Sequence, residues 1–145
     1  MKNVLILSLI GLLFFSCSVD DGTSEDDFYF QILPIENVEL PPIFNSGDTY
    51  QIQYTYRRPS NCHFFNDLYI INEGNTRTIA VTNFVTDEAT SGGACQDLQE
   101  TIINQNFDFI ASNNPGIPYT FKFWQGVNEE NGEDIFLTIN VPVLE

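Results

Sequence analysis

The sequence predicts an all-β domain, a two-sheet antiparallel β-sandwich of about seven strands. Three observations carry that prediction. Apolar and polar residues alternate with period two, most clearly in TYQIQYTYR (49–57), where Tyr50, Ile52, Tyr54 and Tyr56 share one face and Gln51, Gln53, Thr55 and Arg57 the other. Gly-, Asn- and Pro-rich turn signals separate one such run from the next. No long stretch keeps helical spacing, and CQDLQETI (95–102) holds one short turn at most.

The expected elements follow in chain order. FYFQILPI makes a first strand over 28–35, and Pro34, which lacks an N–H, argues for an edge position. NSGD (45–48) leads into the second strand, 49–57. The third (64–72, containing DLYIIN) and fourth (76–85, containing RTIAVTNFV) are apolar and β-branched with weaker alternation, joined by NEGN (72–75). NFDFIA places Phe107 and Phe109 together in a fifth strand, 101–111. After NNPGIP (113–118) the sixth strand, 118–124, sets Tyr119, Phe121 and Phe123 against Thr120, Lys122 and Trp124. NEENGED (128–134) carries Asn131-Gly132, a strong hairpin signal. IFLTINVPV then forms the seventh strand, 135–143.

Ahead of this body, MKNVLILSLIGLLFFS (1–16) has one charge, Lys2, and an apolar core from Val4 to Phe15. A spanning helix needs about 20 apolar residues, so this segment is expected to be a secretory signal. FFSC (14–17) resembles the lipobox of bacterial lipoproteins, with Phe14 where leucine is commonest. That resemblance implies that Cys17 is lipidated and becomes the N-terminus. The acidic run SVDDGTSEDD (18–27) cannot bury apolar surface and is expected to act as a tether. It also resembles the surface-export signal of Bacteroidota lipoproteins, which implies an outer-membrane protein exposed at the cell surface. The domain division is therefore 1–16 signal, 17–27 lipidated cysteine and tether, 28–145 β-sandwich. NPGIPYTFKFW (114–124) resembles the sixth-strand region of immunoglobulin-like and fibronectin type III-like domains. An immunoglobulin-like strand order and a corner role for Tyr119 are implied by it.

Three cysteines in an exported chain need an explanation. Lipidation of Cys17 leaves Cys62 and Cys95, and export supplies an oxidising compartment in which they pair. In the immunoglobulin-like order Cys62 lies in the loop after the second strand and Cys95 in the loop after the fourth. Both loops, and the loop before the seventh strand, are expected at one end of the sandwich. The tether is expected to leave beside them.

Net charge is −15, with twenty acidic residues against five basic ones. Loss of Lys2 with the signal makes it −16. Nucleic acid is excluded as an expected partner, because phosphate binding needs clustered Lys and Arg, and so is charge-driven adhesion to anionic lipid. The expected contact with a membrane is the N-terminal lipid.

His63 is the only histidine, and no Gly-x-Ser-x-Gly elbow, paired-histidine motif or phosphate loop is present. Cys62 and His63 are adjacent, which is not zinc-ligand spacing. Neither DDGTSEDD (20–27) nor NEENGED matches a calcium loop. No catalytic residue, metal or cofactor is therefore assigned. The expected role is non-enzymatic recognition or assembly, through a protein partner or a glycan. A carbohydrate-binding accessory of a polysaccharide-uptake system is the alternative, resting on Trp124. The candidate ligand surface is Trp124 with Arg57, Arg58 and His63. The two arginines have Asp87, Glu88 and Glu129 as expected ion-pair partners, or else an anionic ligand.

Overall fold

A computed structural model describes residues 28–88, 90–98, 101–112 and 115–144. The expected signal, Cys17 and the tether lie outside the described residues. The described residues form an all-β sandwich of ten strands rather than seven: β1 (Phe28–Leu33), β2 (Ile35–Glu39), β3 (Phe44–Asn45), β4 (Thr49–Arg57), β5 (His63–Glu73), β6 (Thr76–Thr86), β7 (Ile102–Ile110), β8 (Tyr119–Val127), β9 (Asp134–Val141) and β10 (Val143–Leu144). The added strands come from the expected first strand, which is two, and from β3 and β10, which pair in parallel over two residues.

Pro34 explains the division of the first strand. It cannot donate to a ladder, and at this residue the chain changes sheets. β1 pairs with β6 in the larger sheet, whereas β2 pairs with β4 in the smaller one. Leu33 and Ile35, on either side of the crossing, are both buried.

The larger sheet has five strands. β6 is flanked on one side by β5 and on the other by two strands in tandem. Its residues 76–79 pair in parallel with β8, and its residues 81–86 pair antiparallel with β1. β9 completes the sheet beside β8. The smaller sheet is β2-β4-β7. An immunoglobulin order sets the third and sixth strands side by side; here β6 stands between β5 and β8, and its ladder with β8 is parallel.

Turn chemistry acts where expected. Gly74, Gly116 and Gly132 all have positive φ, in the β5–β6, β7–β8 and β8–β9 connections. The β5–β6 link is two residues, Gly74 and Asn75.

The core fills the space between the sheets. From β4 it takes Ile52, Tyr54 and Tyr56, and from β8 Tyr119, Phe121 and Phe123, the alternate positions of each strand. Phe44 sits among them, its ring 4.6 Å from Tyr50 and 5.3 Å from Phe109. Each such side chain contributes roughly 1.5–3 kcal/mol by leaving water. Tyr119 has the corner role: its buried hydroxyl accepts the Ser112 N–H at 2.8 Å, seven residues upstream, and also bonds the Ser112 hydroxyl.

One core position breaks the pattern. Asn83 points inward from β6 between Val81 and Val85 and is fully buried, and neither its amide nitrogen nor its oxygen has a hydrogen-bond partner. An unsatisfied buried group costs about 1–3 kcal/mol. Asn83→Leu, similar in volume, is therefore expected to raise the urea-unfolding midpoint. A lowered midpoint would show that the amide is hydrogen-bonded in solution.

Candidate functional site

A sheet packed on one side normally presents polar side chains on the other. The three-stranded sheet obeys this rule. Across β4 and β7 its outer face pairs Gln51 with Asp108, Gln53 with Asn106 and Thr55 with Asn104. Arg57 lies on this face. Its Nε and Nη2 donate to Glu36 Oε1 and Oε2 at 2.9 and 3.3 Å. This corrects the expected pairing across the loops: β2 runs beside β4 and brings Glu36 within reach. Both side chains are exposed, so the pair stabilises by less than about 1 kcal/mol.

The five-stranded sheet does not obey the rule. Its outer face carries a cross-strand aromatic row in which Phe30 of β1 and Phe64 of β5 both stand opposite Phe84 of β6. Phe64 and Phe84 stack at 5.1 Å, and Phe28 meets Phe30 edge to face at 5.7 Å. Phe28 and Phe30 remain 46% and 63% exposed. Beside this row lies a hollow of about 340 Å³.

Farther along the same face, Ile32, Tyr69, Ile71, Trp124 and Phe136 line a groove of about 230 Å³ with Asp134 at its edge. The half-buried Trp124 ring is held by its Nε1–H, which donates to Asp134 Oδ1 at 2.8 Å. Tyr69 is 52% exposed.

Two cations attend this face. The Arg58 guanidinium stands over the Phe64 ring at 5.5 Å, and Lys122 Nζ over Phe136 at 4.3 Å. Arg58 is further fixed by donating to the carbonyls of Ser60 and Asn61 at 3.0 and 2.8 Å. These contacts, not acids of the neighbouring loops, hold it.

His63 faces the interior. Its Nε2 lies 2.9 Å from Gln31 Oε1 and its Nδ1 2.7 Å from Ser60 Oγ. With Gln31 as acceptor, Nε2 carries the proton and Nδ1 accepts the serine hydroxyl. The serine–imidazole contact has nucleophile–base geometry, but the ring leans on a neutral amide instead of the carboxylate that stabilises an imidazolium. Burial, and secondarily the nearby Arg58 charge, lower the His63 pKa below its ordinary value.

Next to this network Cys62 and Cys95 are joined in a disulfide, with Cα atoms 5.5 Å apart and a sequence separation of 33. It links the turn before β5 to the β6–β7 connection, as expected. Such a closure contributes about 3–4 kcal/mol on the chain-entropy model. A bridge between Ser60 and Asp97 runs beside it. Because β8 is parallel to β6, the β8–β9 turn points to this same end, and Phe28, opposite Thr86, begins β1 there.

The sequence-derived ligand residues thus occupy three places. Trp124 and Arg58 serve the outer face of the large sheet, His63 the interior and Arg57 the opposite face. The aromatic row had no clear sequence signal, because β1 and β5 are apolar on both faces.

In NEENGED the Asn131 amide oxygen Oδ1 accepts the Glu133 N–H at 3.0 Å, and Glu133 Oε2 accepts from the Asn131 amide at 3.0 Å, contacts that serve the hairpin. Among the described residues no group of three or more His, Cys, Asp or Glu side chains is placed to hold a metal.

The depressed pKa of His63 has a direction in pH. The unfolded chain takes up the proton first as pH drops below about 6.5. Stability is therefore full above that value and is lost as pH falls through the folded-state pKa. The urea midpoint is expected to fall between about pH 7 and about pH 5.5, and His63→Gln is expected to flatten that fall. An unchanged slope in the variant would assign the effect to other groups. Comparison of the chain with protein-family models, curated proteins and solved structures finds no match.

Proposed function

We propose that this protein is a lipid-anchored lipoprotein of the outer membrane, exposed at the cell surface, with a non-enzymatic role in recognition or assembly. The observation that carries this reading is the aromatic outer face of the five-stranded sheet. Contiguous exposed apolar surface on a soluble domain marks an interaction site, and this face has no covering element among the described residues. The cysteines support the anchor. Cys62 and Cys95 take each other, leaving Cys17 as the unpaired member of three. Acyl chains on Cys17 would contribute roughly 0.8 kcal/mol per buried methylene, and two or more hold a protein firmly.

A second reading, a carbohydrate-binding accessory of a polysaccharide-uptake system, is favoured by the groove at Trp124. There an indole with a fixed N–H, a half-exposed tyrosine and a carboxylate stand together, a combination suited to stacking a sugar ring and bonding its hydroxyls.

Mass spectrometry of the N-terminal peptide, taken from protein purified out of native membranes, tests the anchor. The expected species begins at Cys17 and carries a diacylglyceryl mass. A peptide with an unmodified Cys17 thiol would overturn the proposal.

A further inference from the structure

We propose that the outer face of the five-stranded sheet lies on the bilayer that holds the Cys17 anchor, so that the domain rests on the membrane by its aromatic side. This rests on the lipid-anchor reading above. Four observations select lipid over other occupants.

The first is where the chain enters. Phe28 is both the first residue of β1 and a member of the face. Ten residues, 18–27, separate it from Cys17 and reach at most about 35 Å. A tether of that length keeps the face at an effective concentration on the order of millimolar near the bilayer. Weak apolar affinity is then enough.

The second is the side-chain chemistry. Phe28, Phe30 and Phe64 supply apolar area. Trp124 and Tyr69 add rings with polar tips, the residues that settle at a membrane–water boundary.

The third is charge. From residue 28 onward the chain has only four basic side chains, and two of them, Arg58 and Lys122, stand over rings of this face. The acids of this face are Asp67 and Glu73 on β5 and Asp134 on β9, and Asp134 is bonded to the Trp124 indole. Two cations against three acids leave this face one net negative charge out of the chain's −15, so it is far less repelled by a lipid surface than the rest of the molecule.

The fourth is the contrast between the two outer faces. The amide-rich face of β4 and β7 is the one built for water.

Trp124 is the only tryptophan, so its fluorescence reports on this face alone. The test uses the full-length acylated protein reconstituted into phosphatidylcholine vesicles with brominated acyl chains. Trp124 emission is expected to be blue-shifted and to lose intensity relative to vesicles of unbrominated lipid. Phe30→Asp, at a position 63% exposed and so tolerant of charge, is expected to abolish both effects; Ile102→Asp, 51% exposed on the opposite sheet, is expected to leave them intact. Unquenched emission from protein whose Cys17 acylation is verified by mass would overturn the inference while the anchor stands. If Trp124 then responds to added soluble polysaccharide or to a captured outer-membrane protein, the face belongs to that partner. Equal quenching in all three proteins would also overturn it. If Cys17 proves unmodified, quenching of the unacylated chain on the same vesicles still decides the fate of the face.

Discussion

β6 carries apolar side chains to both sides. Ile79, Val81 and Val85 point toward the three-stranded sheet and are buried, while Ala80 and Phe84 point away from it. Its neighbours repeat the arrangement. In β1, Leu33 turns inward and Phe30 and Ile32 outward; in β5, Leu68 turns inward and Phe64 and Tyr69 outward. The five-stranded sheet therefore carries, besides its buried face, an aromatic patch on the face that no sheet covers among the described residues. The core, the crossing at Pro34 and the rings held by Arg58 and Lys122 all sit around that imbalance. On the proposal made above, the bilayer that holds the Cys17 anchor is the counterpart that covers the patch.

The strands that alternate cleanly were readable in advance. Tyr50, Ile52, Tyr54 and Tyr56 fall on one face as their spacing requires, and so do Tyr119, Phe121 and Phe123. The all-β class and the turns follow from local chemistry of that kind, whereas the pairing of Cys62 with Cys95 was expected only because the lipobox resemblance sets Cys17 aside. The parallel β6–β8 ladder does not, because pairing between distant segments leaves no period in either one. β3 and β10 are two residues each, too short for any pattern. The outer aromatic row was hidden for a related reason: HFFNDLYIINE and FYFQIL are apolar at consecutive positions, so period two cannot say which face is inside. Glu36 was invisible as the partner of Arg57 until the first strand divided at Pro34 and brought β2 alongside β4.

The stapled end of the sandwich is a scaffold for that face. The Cys62–Cys95 bridge fixes the turn ahead of β5. His63 ties the same turn to β1 through Gln31, and Arg58 closes it by bonding the Ser60 and Asn61 carbonyls. These contacts converge on the point where Phe64 enters the aromatic row. On this account the disulfide and the buried imidazole hold the rings of β5 in register with those of β6 and β1. Lowering pH through the His63 titration would loosen the same corner.

The most direct measurement of the central claim is neutron reflectometry from a supported bilayer carrying the full-length acylated protein. The account predicts protein density in contact with the headgroups, with no resolvable water layer between them. A hydrated gap approaching the tether's reach of roughly 35 Å, with the domain standing clear of the lipid, would contradict it.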